Sequence, residues 1–265
     1  MALVLLASAK GSPGVSTLAV LLARAWPGPA LVVEADPAGG DLGARLGLAG
    51  EPNLLSLAIG ARSGLEPGRV WDHAQALTGG RRSGGTGAGV VVGPVGSAGG
   101  RSLRPAWAAL VTLLAAVPDT VIVDAGRASA GEPPFEEVAA LATVSVLVCR
   151  ADLASTSHAR ALARSWPAGP RPVLVMVGSA PYHPSEVATA VGLELLGALP
   201  CDRQAAEAAL AGQWSPGARA LRRGAERLSR ALSLMALGGS GEDGPLPGDA
   251  RATEGAPLLS GEAEW

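Results

Sequence analysis

The chain has 265 residues, a formal charge of −2 at neutral pH and 48% hydrophobic residues, enough for one domain with a large core, with or without a tail. The charge is uneven: residues 238–265 hold six acids and one arginine, which leaves the body at +3, too weak a balance to require nucleic acid as a partner. Cys149 and Cys201 have neither metal nor redox spacing, which fits a reducing cytosol, and no apolar run reaches the ~20 residues of a membrane span.

Residues 2–7 form an apolar run without the basic flank of a signal sequence, so they read as a first strand. A glycine-containing segment follows, and the alanine-rich stretch 16–26 predicts a helix. Further strands are expected at 30–34, 90–92, 120–124, 144–149 and 173–177. Further helices are expected at 101–116, 155–165, 185–194, 204–211 and 217–237. Residues 78–100 are rich in glycine and carry Arg81 and Arg82, which predicts a surface loop interrupted only by the strand at 90–92. In the last helix Leu221, Leu228, Leu232 and Met235 share one face. That stripe can dock on the protein's own sheet, with arginines outside, lie on a membrane, or bind nucleic acid or a partner. From 238 onward Gly, Pro, Ser, Glu and Asp dominate, which predicts a disordered acidic tail.

The strand candidates are continuous rather than alternating, as expected where both faces of a parallel sheet are covered. With helices between them they predict a doubly wound α/β domain over residues 1–237, with helices on both faces. In such sheets ligands sit beyond the carboxyl ends of the strands. Lys10, Asp36 and Asp124 all fall at or just past such ends.

Lys10 is the only lysine; every other basic side chain is arginine. It opens Lys10-Gly11-Ser12-Pro13-Gly14-Val15-Ser16-Thr17, between the first strand and the first helix. A strand, a tight loop and a helix N-terminus together make an anion site, because main-chain N–H groups and the helix dipole converge there. The usual phosphate loop needs a lysine immediately before its Ser/Thr, and that place holds Val15. What remains matches a deviant Walker A loop, in which an early lysine is kept. The chain therefore resembles the ParA/MinD family of P-loop ATPases, as a degenerate member similar to CpaE-like and MinD-like proteins. Residues 31–37 are similar to that family's second strand and switch, 120–126 to its Walker B strand, and 199–202 to a loop that borders the base.

The resemblance implies roles residue by residue. Lys10 would reach the phosphates of a partner in a nucleotide-dependent homodimer. Gly11, Ser12, Gly14, Val15, Ser16 and Thr17 would line the phosphates, with Pro200 and Asp202 beside the base. Ser16 and Asp124 would hold Mg²⁺, and Asp36 would orient the attacking water, with Glu34 as a lesser switch acid. ATP or ADP is the implied cofactor, and a partner protein in division, partitioning or pilus and secretion assembly is implied. The departures are Val15, the side chain at Ser12, the missing N–H at Pro13, and Gly178-Ser179 where an adenine-reading Asn is often found. They allow at most a slow ATPase. The alternative is a pseudo-ATPase acting only as a binding module, cytoplasmic or peripheral at the inner membrane face through 217–237.

Overall fold

The computed structural model describes residues 1–10, 14–77, 87–213 and 215–238; the expected tail from 239 on therefore lies outside the described residues, as do 78–86 of the glycine-rich loop and Gly11, Ser12 and Pro13. Eight strands form one sheet: β1 (Ala2–Ser8), β2 (Ala30–Glu34), β3 (Gln75–Ala76), β4 (Ala88–Val91), β5 (Thr120–Arg127), β6 (Val144–Arg150), β7 (Val173–Val177) and β8 (Leu195–Leu199). Their order is β3-β4-β2-β5-β1-β6-β7-β8, parallel except for the short antiparallel β3 at one edge. The helices are α1 (Val15–Ala25), α2 (Leu42–Leu46), α3 (Leu54–Arg62), α4 (Gly96–Ser102), α5 (Trp107–Ala115), α6 (Phe135–Leu141), α7 (Leu153–Arg164), α8 (Pro184–Val191), α9 (Arg203–Leu210) and α10 (Pro216–Gly238). This is the doubly wound α/β architecture expected from the alternation of elements.

The continuous apolar runs explain the three layers. Side chains alternate across a strand, so in β1 Leu3, Leu5 and Ala7 join one core while Val4 and Leu6 join the other. The first core also takes in α3, α5, α6, α7 and α8; the second takes in α1, α9 and α10. From β1 the chain winds through β2 and β4 to one side, returns to β5, then continues from β6 on the other side. The reversal places the carboxyl ends of β5 and β1 at the switch point where such sheets bind ligands.

Three expectations need correction. The helix expected at 101–116 is broken: α4 ends at Ser102, a 3-10 turn spans Arg104–Ala106, and α5 starts at Trp107. Pro105, which lacks an N–H and fixes its φ, begins a new helical segment there. The helix expected at 185–194 stops at Val191, where Gly192 adopts φ 78° as its C-cap. The chain then turns into β8, whose Leu-Leu-Gly-Ala-Leu sequence carries little strand preference of its own. Finally, α4 begins inside the segment expected to be loop up to residue 100.

The last helix docks on the sheet. Leu221, Leu228 and Leu232 are buried together with Ala218 and Ala225, and Ser229 Oγ donates to the carbonyl of Ala25 at 2.9 Å. Met235 leaves the expected stripe: it is 37% exposed, and Ala236 takes the buried position. Among the described residues no helix is long and apolar enough to cross a membrane. Leu232→Ala should destabilise the protein by about 2–5 kcal/mol in urea unfolding, as a fully buried leucine that leaves a cavity. Leu234→Ala, at an exposed site of the same helix, should change stability by less than about 0.5 kcal/mol.

Candidate functional site

The site starts from an uncapped helix. Gly14 precedes α1 in the left-handed region, φ 97°, and among the described residues no side chain caps the helix N-terminus. Its carbonyl accepts from Leu18 N at 2.9 Å, which opens the helical ladder. The N–H groups of the first turn therefore face the loop without a side-chain acceptor. A glycine suits Gly14 because its φ is costly for any residue with a Cβ. The space around a Cβ there is open to 4 Å, so a ligand can approach the main chain closely.

The alternation of β5 decides what meets that helix. Ile122 packs in the same core as α1, and two residues on Asp124 points its carboxyl the same way. Asp124 is fully buried. Its Oδ1 accepts from Gly126 N at 3.0 Å, while Oδ2 has no hydrogen-bond partner among the described residues. Burial pushes its pKa up to about 7; the Ser16 hydroxyl and the Gly126 N–H work against this, and the charges of Glu34 and Asp36 add to it. A carboxylate with one oxygen buried and unpartnered is costly unless a cation or proton takes the free lone pairs.

Asp36 comes to the same place from β2. Gly126 has φ 56°, and a Cβ on it would overlap the Asp36 carboxylate, so the two chain segments touch only because residue 126 is glycine. Asp36 Oδ1 accepts from Ala38 N at 2.8 Å, so this residue also caps its own turn. Burial raises its pKa, against the bond from Ala38, with the Asp41 charge adding. Glu34 is placed differently. Its Oε1 accepts from Asp41 N at 2.7 Å and Leu42 N at 2.9 Å, and its Oε2 from Gly93 N at 2.8 Å. Burial raises its pKa against those three bonds, and the side chain serves as a pin between the Asp36 loop and the end of β4.

A cleft of about 690 Å³ lies over these groups. Its walls include Gly14, Val15, Ser16 and Thr17 on one side and Asp36 and Gly126 at the strand ends, with Pro200 and Asp202 at the far end. The volume is that of a small-ligand site. Asp202 also N-caps α9, accepting from Ala205 N at 2.9 Å. Lys10 is exposed and stands outside the cleft lining. Its charge is felt by Asp152, whose pKa is lowered first by the Ser155 N–H bond and then, after the Ser155 hydroxyl, by Lys10 and Arg150. Val177 lines the cleft; among the described residues Ser179 does not.

The sequence did not single out the cleft's arginines: Arg45, Arg127, Arg150 and Arg203. Arg127 and Arg150 close β5 and β6, a position that a strand-end reading could have flagged. Arg45 belongs to α2, in a stretch with no periodic signal, and only the fold brings it to α1.

The residues fit Mg²⁺. Asp124 Oδ2 is a buried carboxyl oxygen with no hydrogen-bond partner among the described residues, and the Ser16 hydroxyl acts on the same side chain, a hard-oxygen pair of the kind Mg²⁺ takes with phosphate and water. Among the described residues no group of three or more His, Cys, Asp or Glu could hold a metal by itself.

The topology is that of solved P-loop ATPases of ParA/MinD type, whose fold this chain shares. A ParA family ATPase from Chlorobium tepidum superposes with TM-score 0.66 at 18% identity, over 89% of this chain and 99% of that one. MinD from Pyrococcus horikoshii, solved with Mg-ADP, gives 0.64 at 16% identity, over 88% and 98%. The MinC:MinD complex from Aquifex aeolicus gives 0.64 at 14% identity, over 93% and 98%. No protein-family model matches the sequence, and no curated protein matches it.

Asp124 makes stability depend on pH. Its carboxyl ionises near 3.8 in the unfolded chain and near 7 in the fold, so between those values the folded state holds a proton the unfolded state has lost. The contribution of Asp124 to stability should be greatest below about pH 4 and fall as pH rises toward 7, by up to ~1.4 kcal/mol per unit, while Asp152, whose pKa is lowered, acts in the opposite direction. Glu34 and Asp36, also raised, act in the same direction as Asp124. Asp124→Asn should flatten this slope and stabilise the protein at pH 7.5, measured by urea unfolding across the range.

Proposed function

We propose that the chain is a ParA/MinD-like nucleotide-binding protein that takes ATP or ADP with Mg²⁺ in this cleft and uses the nucleotide to control a homodimer that positions or regulates a partner protein. The observation that carries this reading is the unpartnered, buried Asp124 Oδ2 facing an uncapped helix start at Gly14. A free anionic oxygen calls for a cation, and free main-chain N–H groups call for an anion. A magnesium polyphosphate is both.

In this reading Gly14, Val15, Ser16 and Thr17 present main-chain N–H groups to the phosphates, and Ser16 and Asp124 hold the metal. Mg²⁺, when bound, neutralises phosphate charge and polarises the terminal phosphoryl group. Asp36, against Gly126 at the strand ends, is the carboxylate placed to orient water. Pro200 and Asp202 border the base end, and Gly11 and Ser12 complete the loop. Lys10, exposed and outside the cleft of its own chain, is available to a second copy. Residues 1–237 act as the nucleotide-binding unit, with 238–265 as an acidic extension. The solved relatives lend support: one is described with Mg-ADP, and another is a complex of MinD with MinC.

Val15 favours slow turnover. It is 4% exposed and packs in the α1 core, so it brings no charge to the phosphates. The same observation supports the second reading, a pseudo-ATPase whose fold serves only to bind a partner. The docked face of α10 leaves Arg219, Arg223, Arg227 and Arg230 along its length, and Leu234 and Leu237 near its end, exposed for contact with a membrane surface.

Fluorescent-nucleotide titration with Mg²⁺, combined with light scattering, tests the proposal. ATP should bind and produce a dimer, and Lys10→Ala should abolish the dimer while leaving monomer binding within a few-fold. A wild-type chain with no nucleotide affinity at millimolar concentration leaves only the pseudo-ATPase.

A further inference from the structure

The cleft holds more carboxylates than its loop can answer. Glu34, Asp36 and Asp41 line it at the end where a polyphosphate would lie, Asp124 is buried near them, and the loop position that could supply an ammonium holds Val15. An anionic ligand needs a cation from elsewhere in the fold. Four arginines line the cleft, and three of them, Arg127, Arg150 and Arg203, have exposed side chains at strand ends or a helix start. Arg45 differs. Its side chain is 27% exposed, its Nη2 donates to Thr17 Oγ1 at 3.0 Å, and its Nη1 lies 3.7 Å from Asp41 Oδ1.

Thr17 is in the first turn of α1, so that bond sets the guanidinium beside the uncapped N–H groups. Arg45 itself is fixed in place. Glu34 accepts from Asp41 N and Leu42 N at the start of α2, Leu42 is fully buried, and Gly47 closes the helix in the left-handed conformation. A guanidinium has five N–H donors. One is committed to Thr17, and the Asp41 contact is long and exposed, so donors remain for a second oxygen.

We infer that Arg45 is a phosphate-binding residue: it contacts the polyphosphate of the bound nucleotide from α2 and replaces the loop lysine that Val15 removes. The inference rests on the nucleotide-binding reading above. It assigns to a residue outside the loop the charge that binds phosphate, and it ties nucleotide occupancy to the 36–47 segment. A guanidinium suits the position because its planar fork can serve Thr17 and a phosphate oxygen together, which a single ammonium does less well.

The test compares full-length wild type, Arg45→Ala, Arg45→Lys and Arg45→Ala/Val15→Lys, with adenosine, Mg-ADP, Mg-ATP and inorganic tripolyphosphate as ligands. Binding is read by calorimetry, and folding of each variant by thermal melting. Arg45→Ala should weaken ATP, ADP and tripolyphosphate by about 10- to 150-fold, the range of one charged hydrogen bond. Adenosine, which has no phosphate, should bind as in wild type. Arg45→Lys should recover part of the loss, and Val15→Lys should recover affinity in the Arg45→Ala background. Equal ATP affinity in wild type and Arg45→Ala overturns the assignment to Arg45 and leaves the nucleotide reading standing. An equal loss for adenosine and ATP makes Arg45 a structural residue and overturns the assignment too. A wild type that binds none of these ligands overturns both.

Discussion

A buried carboxylate that accepts three main-chain N–H groups fixes one whole wall of the cleft. Glu34 ends β2, and its two oxygens join Asp41 and Leu42 at the start of α2 to Gly93 just after β4. Each of those N–H groups would otherwise be a donor without an acceptor in a poorly solvated place, at a cost of roughly 1–3 kcal/mol apiece. The carboxylate resolves all three at once, and this offsets its own desolvation. Two consequences reach the site. The loop from Asp36 to Gly40 is held short and flat against the ends of β4 and β5, so the Asp36 carboxylate lies on Gly126. The helix α2 is anchored at its first turn, so Arg45 in its last turn reaches Thr17.

Around that wall the electrostatics call for an outside charge. Glu34, Asp36 and Asp124 each have pKa values raised by burial, and the charges of Glu34 and Asp36 raise Asp124 further. In the free protein a proton on Asp124 relieves this; a divalent cation relieves it better, because it also meets the unpartnered Oδ2. A divalent cation beside a helix N-terminus in turn draws in an anion. Proton and metal are thus alternative answers to one local imbalance, phosphate follows the metal, and the protonated form is the one that competes with ligand.

The fold was legible because its core strands are apolar through and through, and a parallel sheet covered on both faces needs just that pattern. β8 was not, since Leu-Leu-Gly-Ala-Leu lacks β-branched residues and its burial comes from α10 and β7 rather than from local preference. The break at Pro105 was legible in principle and overlooked because the apolar period continues through it. In the site, Gly14, Ser16, Asp36 and Asp124 were readable because strand ends and a helix start put them at known places in any doubly wound sheet. The bonds that make Glu34 a pin and the bond from Arg45 to Thr17 were not, because these partners are seven to fifty-nine residues away and no spacing rule links them. Lys10 stood out in composition, yet its distance from the cleft of its own chain appears only in three dimensions.

The position of Arg45 changes what a phosphate loop does. A loop lysine belongs to the same rigid strand–loop–helix unit as the N–H groups it assists, so it binds phosphate whatever the rest of the protein is doing. An arginine on α2 belongs to the segment that also carries Asp36. If phosphate contact favours one position of that segment, then by linkage that position favours phosphate to the same extent. A partner that presses on α2 or on the Asp36–Gly40 loop would therefore alter nucleotide affinity, and nucleotide would alter the partner's affinity, with no change in the loop itself. With valine at position 15, the Arg45 contact proposed above would place control of the site in the 36–47 segment rather than in the loop.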